Sequence, residues 1–207
     1  MPNSNVKPRT LKLAKMALMI AIAVICSFVQ FPILPAAPHL RFELMDIPIL
    51  IAGFAFGPIR GFVIAVVSIL LRTVILMPDN SPHGQIMHII SIGVFVLVSC
   101  GIYHKWQSTK WREFTLILGY SNAEKRVLLE APLVGLLSLV VGGLCMTAAV
   151  IPGNIIVTPL VLGLPLDVIY AMIVPVLIPF NLLKVAINTV VVFLIYKRLS
   201  PFLHKWE

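Results

Sequence analysis

The chain has 207 residues, of which 59% are hydrophobic and only 12% are charged, and its formal net charge is +8. A soluble domain carries about 25% charged residues on its surface, so this composition excludes a soluble globular domain and predicts an all-α integral membrane protein. The length allows about six spanning helices of about 20 residues each, so residues 1–207 are predicted to form a single transmembrane domain. The basic residues lie at the ends of apolar segments, and membrane topology therefore explains the positive charge without nucleic acid.

The apolar segments of the chain predict a bundle of six transmembrane helices. Pro32 and Pro35 are expected to end the first helix, and Pro152 with Gly153 the fifth, because proline removes a backbone donor and favours a turn. The apolar stretch 114–119, which lies in the polar segment after the fourth helix, is too short to span a membrane. The six helices are expected over residues 11–31, 47–56, 61–77, 85–103, 127–151 and 166–196.

The basic residues are distributed unevenly between the predicted loops. With six helices both termini lie on the same side, and thirteen of the sixteen Lys and Arg residues fall on that side. Because cytoplasmic loops carry the excess of positive charge, both termini are predicted to be cytoplasmic. The loops 33–46, 78–84 and 152–166 are then expected to face the outside.

Two cations, Arg72 and Lys184, lie within apolar helices. A charge in the hydrocarbon is costly, so such a side chain normally faces the bundle interior, a cavity or the interface. Arg72 is near the outer end of its helix, and snorkelling to the headgroups is the alternative interpretation there. Lys184 is deeper, and Asn181 lies one helical step before it on the same face. Asn181 and Lys184 are therefore predicted to bind an acceptor-rich or anionic solute inside the membrane.

Other polar residues near the outer half are candidates with simpler explanations. His88 is a candidate binding residue, and the alternative is a packing histidine. Asn154 is another candidate, and it follows Pro-Gly, where it would cap a turn. Glu43 and Asp46 precede or begin the second helix, and Asp46 is interpreted as an N-cap with Pro48 in the first turn.

Several motifs are missing from the sequence. It contains no Walker A motif, no serine-hydrolase or zinc-protease motif and no Cys/His cluster, so neither an enzyme nor a cofactor or metal site is predicted. A membrane-embedded binding protein without its own energy source needs a partner. Ala17 and Ala21 form an AxxxA pattern in the first helix, and small residues four apart allow another helix to approach closely. The alternative for these alanines is packing within the bundle.

Three segments carry a resemblance to a known family: DIPILIAGFAFGPIRG (46–61), IPFNLLK (178–184) and FLIYKRLS (193–200). Together they resemble the substrate-specificity (S) components of energy-coupling factor (ECF) vitamin transporters, above all the RibU-type riboflavin group. The resemblance implies a multi-pass protein of the bacterial cell membrane that binds one vitamin near the outer surface. It also implies partners, the transmembrane coupling subunit EcfT and two cytoplasmic ATPases. By motif match, Asn181 and Lys184 would contact the ligand, and Ala17 and Ala21 would form the coupling surface.

The sequence differs from the riboflavin group in residues that bear on the choice of substrate. The segment GNIIVTPLVLGLP (153–165) has no aromatic residue, whereas a broad flat ring favours aromatic walls. Arg72, His88 and Lys184 would instead suit a small carboxylate. The sequence therefore favours pantothenate, the ligand of the PanT components, with riboflavin as the alternative. A ligand-free assembly protein or a lipid-modifying enzyme would leave the Asn181–Lys184 pair unexplained.

Overall fold

The computed structural model describes residues 8–204 except 36, 39, 76–81 and 108–122. The described chain is almost entirely helical, and its last three elements follow one another without a break. The predicted short stretch 114–119 and most of the predicted loop 78–84 lie outside the described residues. In chain order the elements are α1 (Pro8–Cys26), β1 (Gln30–Pro32), β2 (Arg41–Glu43), α2 (Asp46–Phe56), α3 (Pro58–Ile75), α4 (Pro82–Gln107), α5 (Ala123–Leu162), α6 (Leu166–Met172), a π-helical turn (Ile173–Leu177) and α7 (Ile178–His204).

Four of these helical stretches are long and apolar enough to cross a membrane, which agrees with the helical membrane class predicted from composition. α2 is apolar but shorter than a span, with 11 residues. The four candidate spans are Pro58–Ile75, Pro82–Trp106, Leu133–Leu162 and Leu166–Ile195.

The end of the first helix differs from the prediction. α1 ends at Cys26 rather than at residue 31, and β1 pairs antiparallel with β2, with Phe31 opposite Phe42. The rings of Phe31 and Phe42 are 5.5 Å apart. The apolar run therefore changes from helix to strand because a partner strand satisfies its backbone groups and packs one ring, that of Phe42, against Phe31. The β1–β2 pair is called the hairpin below.

The end of the fifth helix was also predicted wrongly. α5 continues through Pro152 and Gly153 to Leu162, so only the short connection at 163–165 separates it from α6. Lipid offers no hydrogen-bond partners to a loop, and a helix that contains proline is therefore the better solution there. Gly163 ends α5 with φ of +66°, a left-handed conformation that glycine adopts without strain. The last candidate span, Leu166–Ile195, is interrupted by the π-helical turn, which contains Pro175.

α2 occupies the centre of the bundle and contacts α1, α3, α4 and α7. Every residue from Asp46 to Phe54 is buried, as expected for a helix that is apolar on all sides. Gly53 and Gly61 let α2 and α3 approach closely, since a Cβ added at Gly61 would lie 2.5 Å from the Gly53 Cα. The burial of α2 carries the carboxylate of Asp46, its first residue, into the protein interior.

Candidate ligand-binding site

A cavity of about 520 Å³ lies between the hairpin, the first half of α4, the last part of α5 and the α6–α7 segment. Its volume is within the range of small-molecule sites, about 300–1,000 Å³. Most of its wall is apolar, with polar groups gathered in two places. The residues that line it are Leu40, Arg41, Glu43, His83, Gly84, Met87, His88, Ser91, Val150, Asn154, Thr158, Leu162, Leu164, Ile169, Met172, Leu177, Phe180, Asn181 and Lys184.

The structure brings together four of the five predicted site residues in the wall of this cavity: Asn181, Lys184, His88 and Asn154. They come from α7, α4 and α5, and all four are buried. Arg72 is also buried, but it lies behind Glu43 rather than in the lining. Because these four residues line one cavity, the cavity is the candidate binding site. A ligand contact for each of them stays a prediction.

The first polar group is a continuous series of ion pairs, which is called the ion chain below. The Arg72 Nη1 donates to the Glu43 Oε2 at 2.5 Å, and the His88 Nδ1 lies 3.1 Å from the same oxygen. The His88 Nε2 is 2.7 Å from the Asp46 Oδ1. The Lys184 Nζ is 2.9 Å from the Asp46 Oδ2. The ion chain therefore links the hairpin, α2, α3, α4 and α7.

The charges of the ion chain compensate one another. Burial alone would raise the pKa of Glu43, but the charges of His88, Arg72 and Lys184 and the His88 hydrogen bond outweigh burial and lower that pKa from 4.5 to about 2. Glu43 pairs with Arg72 and Asp46 pairs with Lys184, and His88 lies between the two carboxylates. The cations that suggested a carboxylate ligand are already paired with carboxylates of the protein.

Asp46 does not have the role predicted for it. The N-cap of α2 is Met45, and no side chain caps this helix. Asp46 is fully buried and binds His88 and Lys184 instead. A signal was available in the sequence, because two buried cations require counter-charges and the chain has only eight acidic residues.

The second polar group runs along α4 and α5 at the other side of the cavity. The His83 Nε2 lies 2.8 Å from the Thr158 Oγ1, and Thr158 donates to the Asn154 Oδ1 at 3.1 Å. The Asn154 Nδ2 donates to the Val150 carbonyl within α5. Asn154 is therefore a helical wall residue rather than a turn cap. His83 and Thr158 are site candidates that sequence reasoning had not selected.

On α7, Asn181 connects the cavity wall to the π-helical turn. Its Nδ2 donates to the carbonyl of Leu177, the last residue of that turn, at 2.7 Å. Phe180 precedes it and lines the cavity, where it supplies the aromatic surface that the segment 153–165 lacks.

Ala17 and Ala21 lie far from this chemistry, on an exposed face of α1, whereas Ala23 is fully buried against the core. An exposed small-residue face agrees with the predicted coupling surface rather than with packing inside the bundle. Coupling through it stays a prediction.

The fold and the cavity define a class: a helical membrane protein with an internal cavity of small-molecule size. Residues 11–196 match the family described as "ECF transporter, substrate-specific component", and the chain belongs to that family. This confirms the resemblance noted in the sequence. Because the family consists of transporter components, it also confirms that the chain is not an enzyme.

The chain is similar to several characterised proteins. It is 30% identical over 198 residues to the riboflavin transporter RibU of Staphylococcus aureus (strain TCH60), with 94% of this chain and 93% of the relative covered. It is 24% identical over 195 residues to the riboflavin transporter FmnP of Bacillus subtilis (strain 168), with 94% of each covered. A solved structure, reported as "Structure and mechanism of the S component of a bacterial ECF transporter", superposes with a TM-score of 0.71 at 27% identity and covers 94% of this chain and 98% of that one.

Proposed function

We propose that this S component binds riboflavin and delivers it for uptake through an ECF transporter. The observation that carries the proposal is that both permanent cations of the site are already paired within the protein, Lys184 with Asp46 and Arg72 with Glu43. A carboxylate ligand such as pantothenate needs a cation that is not already compensated. Riboflavin is uncharged and needs hydrogen-bond partners and apolar walls. The relatives named as riboflavin transporters support the same choice, which was the alternative in the sequence analysis.

The lining of the cavity suits a flat ring that carries a hydroxylated chain. Met87, Leu177 and Phe180 provide apolar surface for a ring. Asn181 and Lys184 lie in the same wall and can donate to ring carbonyls. The polar group along α4 and α5 then provides acceptors and donors for hydroxyls. A ligand-free assembly protein would not require this enclosed and partly polar cavity.

A direct binding measurement tests the substrate. Purified protein in detergent, freed of co-purifying ligand, is titrated with riboflavin and separately with pantothenate by calorimetry. We expect saturable binding of riboflavin, with quenching of its fluorescence, and no binding of pantothenate. Binding of pantothenate but not riboflavin would reverse the assignment.

We further propose that six helices cross the membrane with both termini in the cytoplasm. The concentration of Lys and Arg on one side supports this topology. In this arrangement Arg60, at the start of α3, faces the cytoplasm, and Leu164, between α5 and α6, faces outside. Single cysteines at these two positions, labelled from either side of the membrane in a background without the native cysteines, test the orientation.

The proposed partners are the coupling subunit EcfT and two cytoplasmic ATPases, with α1 as the docking helix. We expect Ala21→Trp to abolish uptake while riboflavin binding stays unchanged, because an indole on the exposed small-residue face prevents close helix approach. Ala17→Trp should behave in the same way. Ala148→Trp, at an exposed alanine of α5, is the matched control and should retain uptake. Normal uptake by both α1 variants would remove this face from coupling.

A further inference from the structure

We propose that Asp46 is a positioning residue of the binding site, which holds the Lys184 ammonium in the cavity wall although Asp46 itself is not part of the lining. Lys184 and His88 line the cavity, and Asp46 lies behind both of them. The inference rests on the proposed function, because it assumes that Lys184 contacts the vitamin. Part of the affinity for the vitamin then depends on Asp46, a residue that does not touch the ligand.

Both carboxylate oxygens of Asp46 are used in this arrangement. The Oδ1 faces the His88 Nε2 at 2.7 Å. The Oδ2 faces the Lys184 Nζ at 2.9 Å and accepts from the Asn188 Nδ2 at 3.3 Å. Asp46 is 0% exposed, so these contacts take the place of water. One carboxylate thereby joins the start of α2 to α4 and to two successive turns of α7.

Lys184 needs such a partner for geometric reasons. Its ammonium is carried on a flexible four-carbon stem, so several rotamers compete for its position. The Asp46 Oδ2 selects one of them before the ligand arrives, and His88 on the other oxygen restrains the carboxylate in turn. A donor that is ordered in advance loses less conformational entropy on binding, and this raises affinity.

The test compares Asp46→Asn, Lys184→Met and the double variant in riboflavin titrations of purified protein. We expect Asp46→Asn to weaken riboflavin binding about tenfold or more, and Lys184→Met about ten- to a hundredfold. The double variant should bind no more weakly than Lys184→Met, because Asp46 acts through Lys184. Asp167→Asn is the matched control, since it makes the same change at an exposed carboxylate in the first turn of α6.

Melting temperatures without ligand complete the test. The double variant should melt above Lys184→Met, because Lys184→Met leaves the buried Asp46 carboxylate without its ammonium partner. These two variants can still be compared if Asp46→Asn does not fold. Unchanged affinity in Asp46→Asn, or losses that multiply in the double variant, would overturn the inference. If the wild-type protein binds pantothenate and not riboflavin, the proposed function fails, and the same variants titrated with pantothenate decide the role of Asp46. If the changes in melting temperature of Asp46→Asn and Lys184→Met simply add in the double variant, the inference is overturned whichever vitamin binds.

Discussion

Replacement of Arg72 by Leu is expected to lower the free energy of unfolding by about 3 kcal/mol, the range for loss of one partner of a buried ion pair. The side chains of Arg72 and Glu43 are only 6% and 14% exposed. Without the guanidinium, the largely buried Glu43 carboxylate loses its nearest cation. The value lies at the lower end of the range because His88 remains beside the same carboxylate.

A second consequence of this substitution concerns the hairpin. Glu43 is the last residue of β2, and its bond to Arg72 anchors the hairpin to α3. We therefore expect Arg72→Leu to weaken riboflavin binding as well, because the hairpin forms one wall of the cavity.

Unfolding in a denaturing detergent titration measures the stability of this variant. Arg60→Leu is the control, since Arg60 is exposed on the same helix and donates to a backbone carbonyl, that of Phe56, rather than to a carboxylate. The double variant Arg72→Leu with Glu43→Gln should recover much of the lost stability, because it removes the uncompensated charge. Equal stability of Arg72→Leu and the wild type would show that water or another group compensates Glu43.

Gly61→Ala is expected to have the second large effect, about 3 kcal/mol of destabilisation. The added Cβ would lie 2.5 Å from the Gly53 Cα and 2.8 Å from the Val96 Cγ1. The first of these is a backbone atom of α2 and cannot rotate away, so α2 and α3 must separate. Because α2 begins at Asp46, the displacement should also weaken ligand binding.

The matched control for this prediction is Gly101→Ala in α4, where an added Cβ meets nothing within 4 Å. Alanine should be neutral there, or stabilising by about 0.5–1 kcal/mol through its higher helix propensity. Thermal unfolding of the two variants separates steric conflict from helix propensity. Similar melting temperatures for both would contradict the close α2–α3 contact.

The sequence predicted the site best where the relation between residues was local. Asn181 and Lys184 are one helical step apart, so their common face follows from helix geometry alone. The partners of the cations did not follow, because Arg72 and Glu43 are 29 positions apart and His88 and Asp46 are 42 apart. The repeat of a single helix or strand relates only residues that are a few positions apart, so it cannot predict these pairs. A requirement that buried charges be balanced would have pointed to the two acidic residues.

The errors in the helix limits have a similar origin. Pro152 and Gly153 end helices in water, but the surrounding lipid gives an open backbone no alternative partners, and α5 continues. Residues 30 and 31 read as the end of an apolar helix, and they become a strand because β2, which follows after residues 33–40, pairs with them. In both places the environment decides between conformations that the local sequence permits.

The pairing of charges in the ion chain has an electrical consequence. The free energy of moving one elementary charge across a membrane potential of 100 mV is about 2.3 kcal/mol. If the ligand is the uncharged riboflavin proposed above, its binding among fixed ion pairs moves no net charge in that field. Riboflavin binding is therefore expected to be independent of the voltage across the membrane as long as His88 keeps its protonation state.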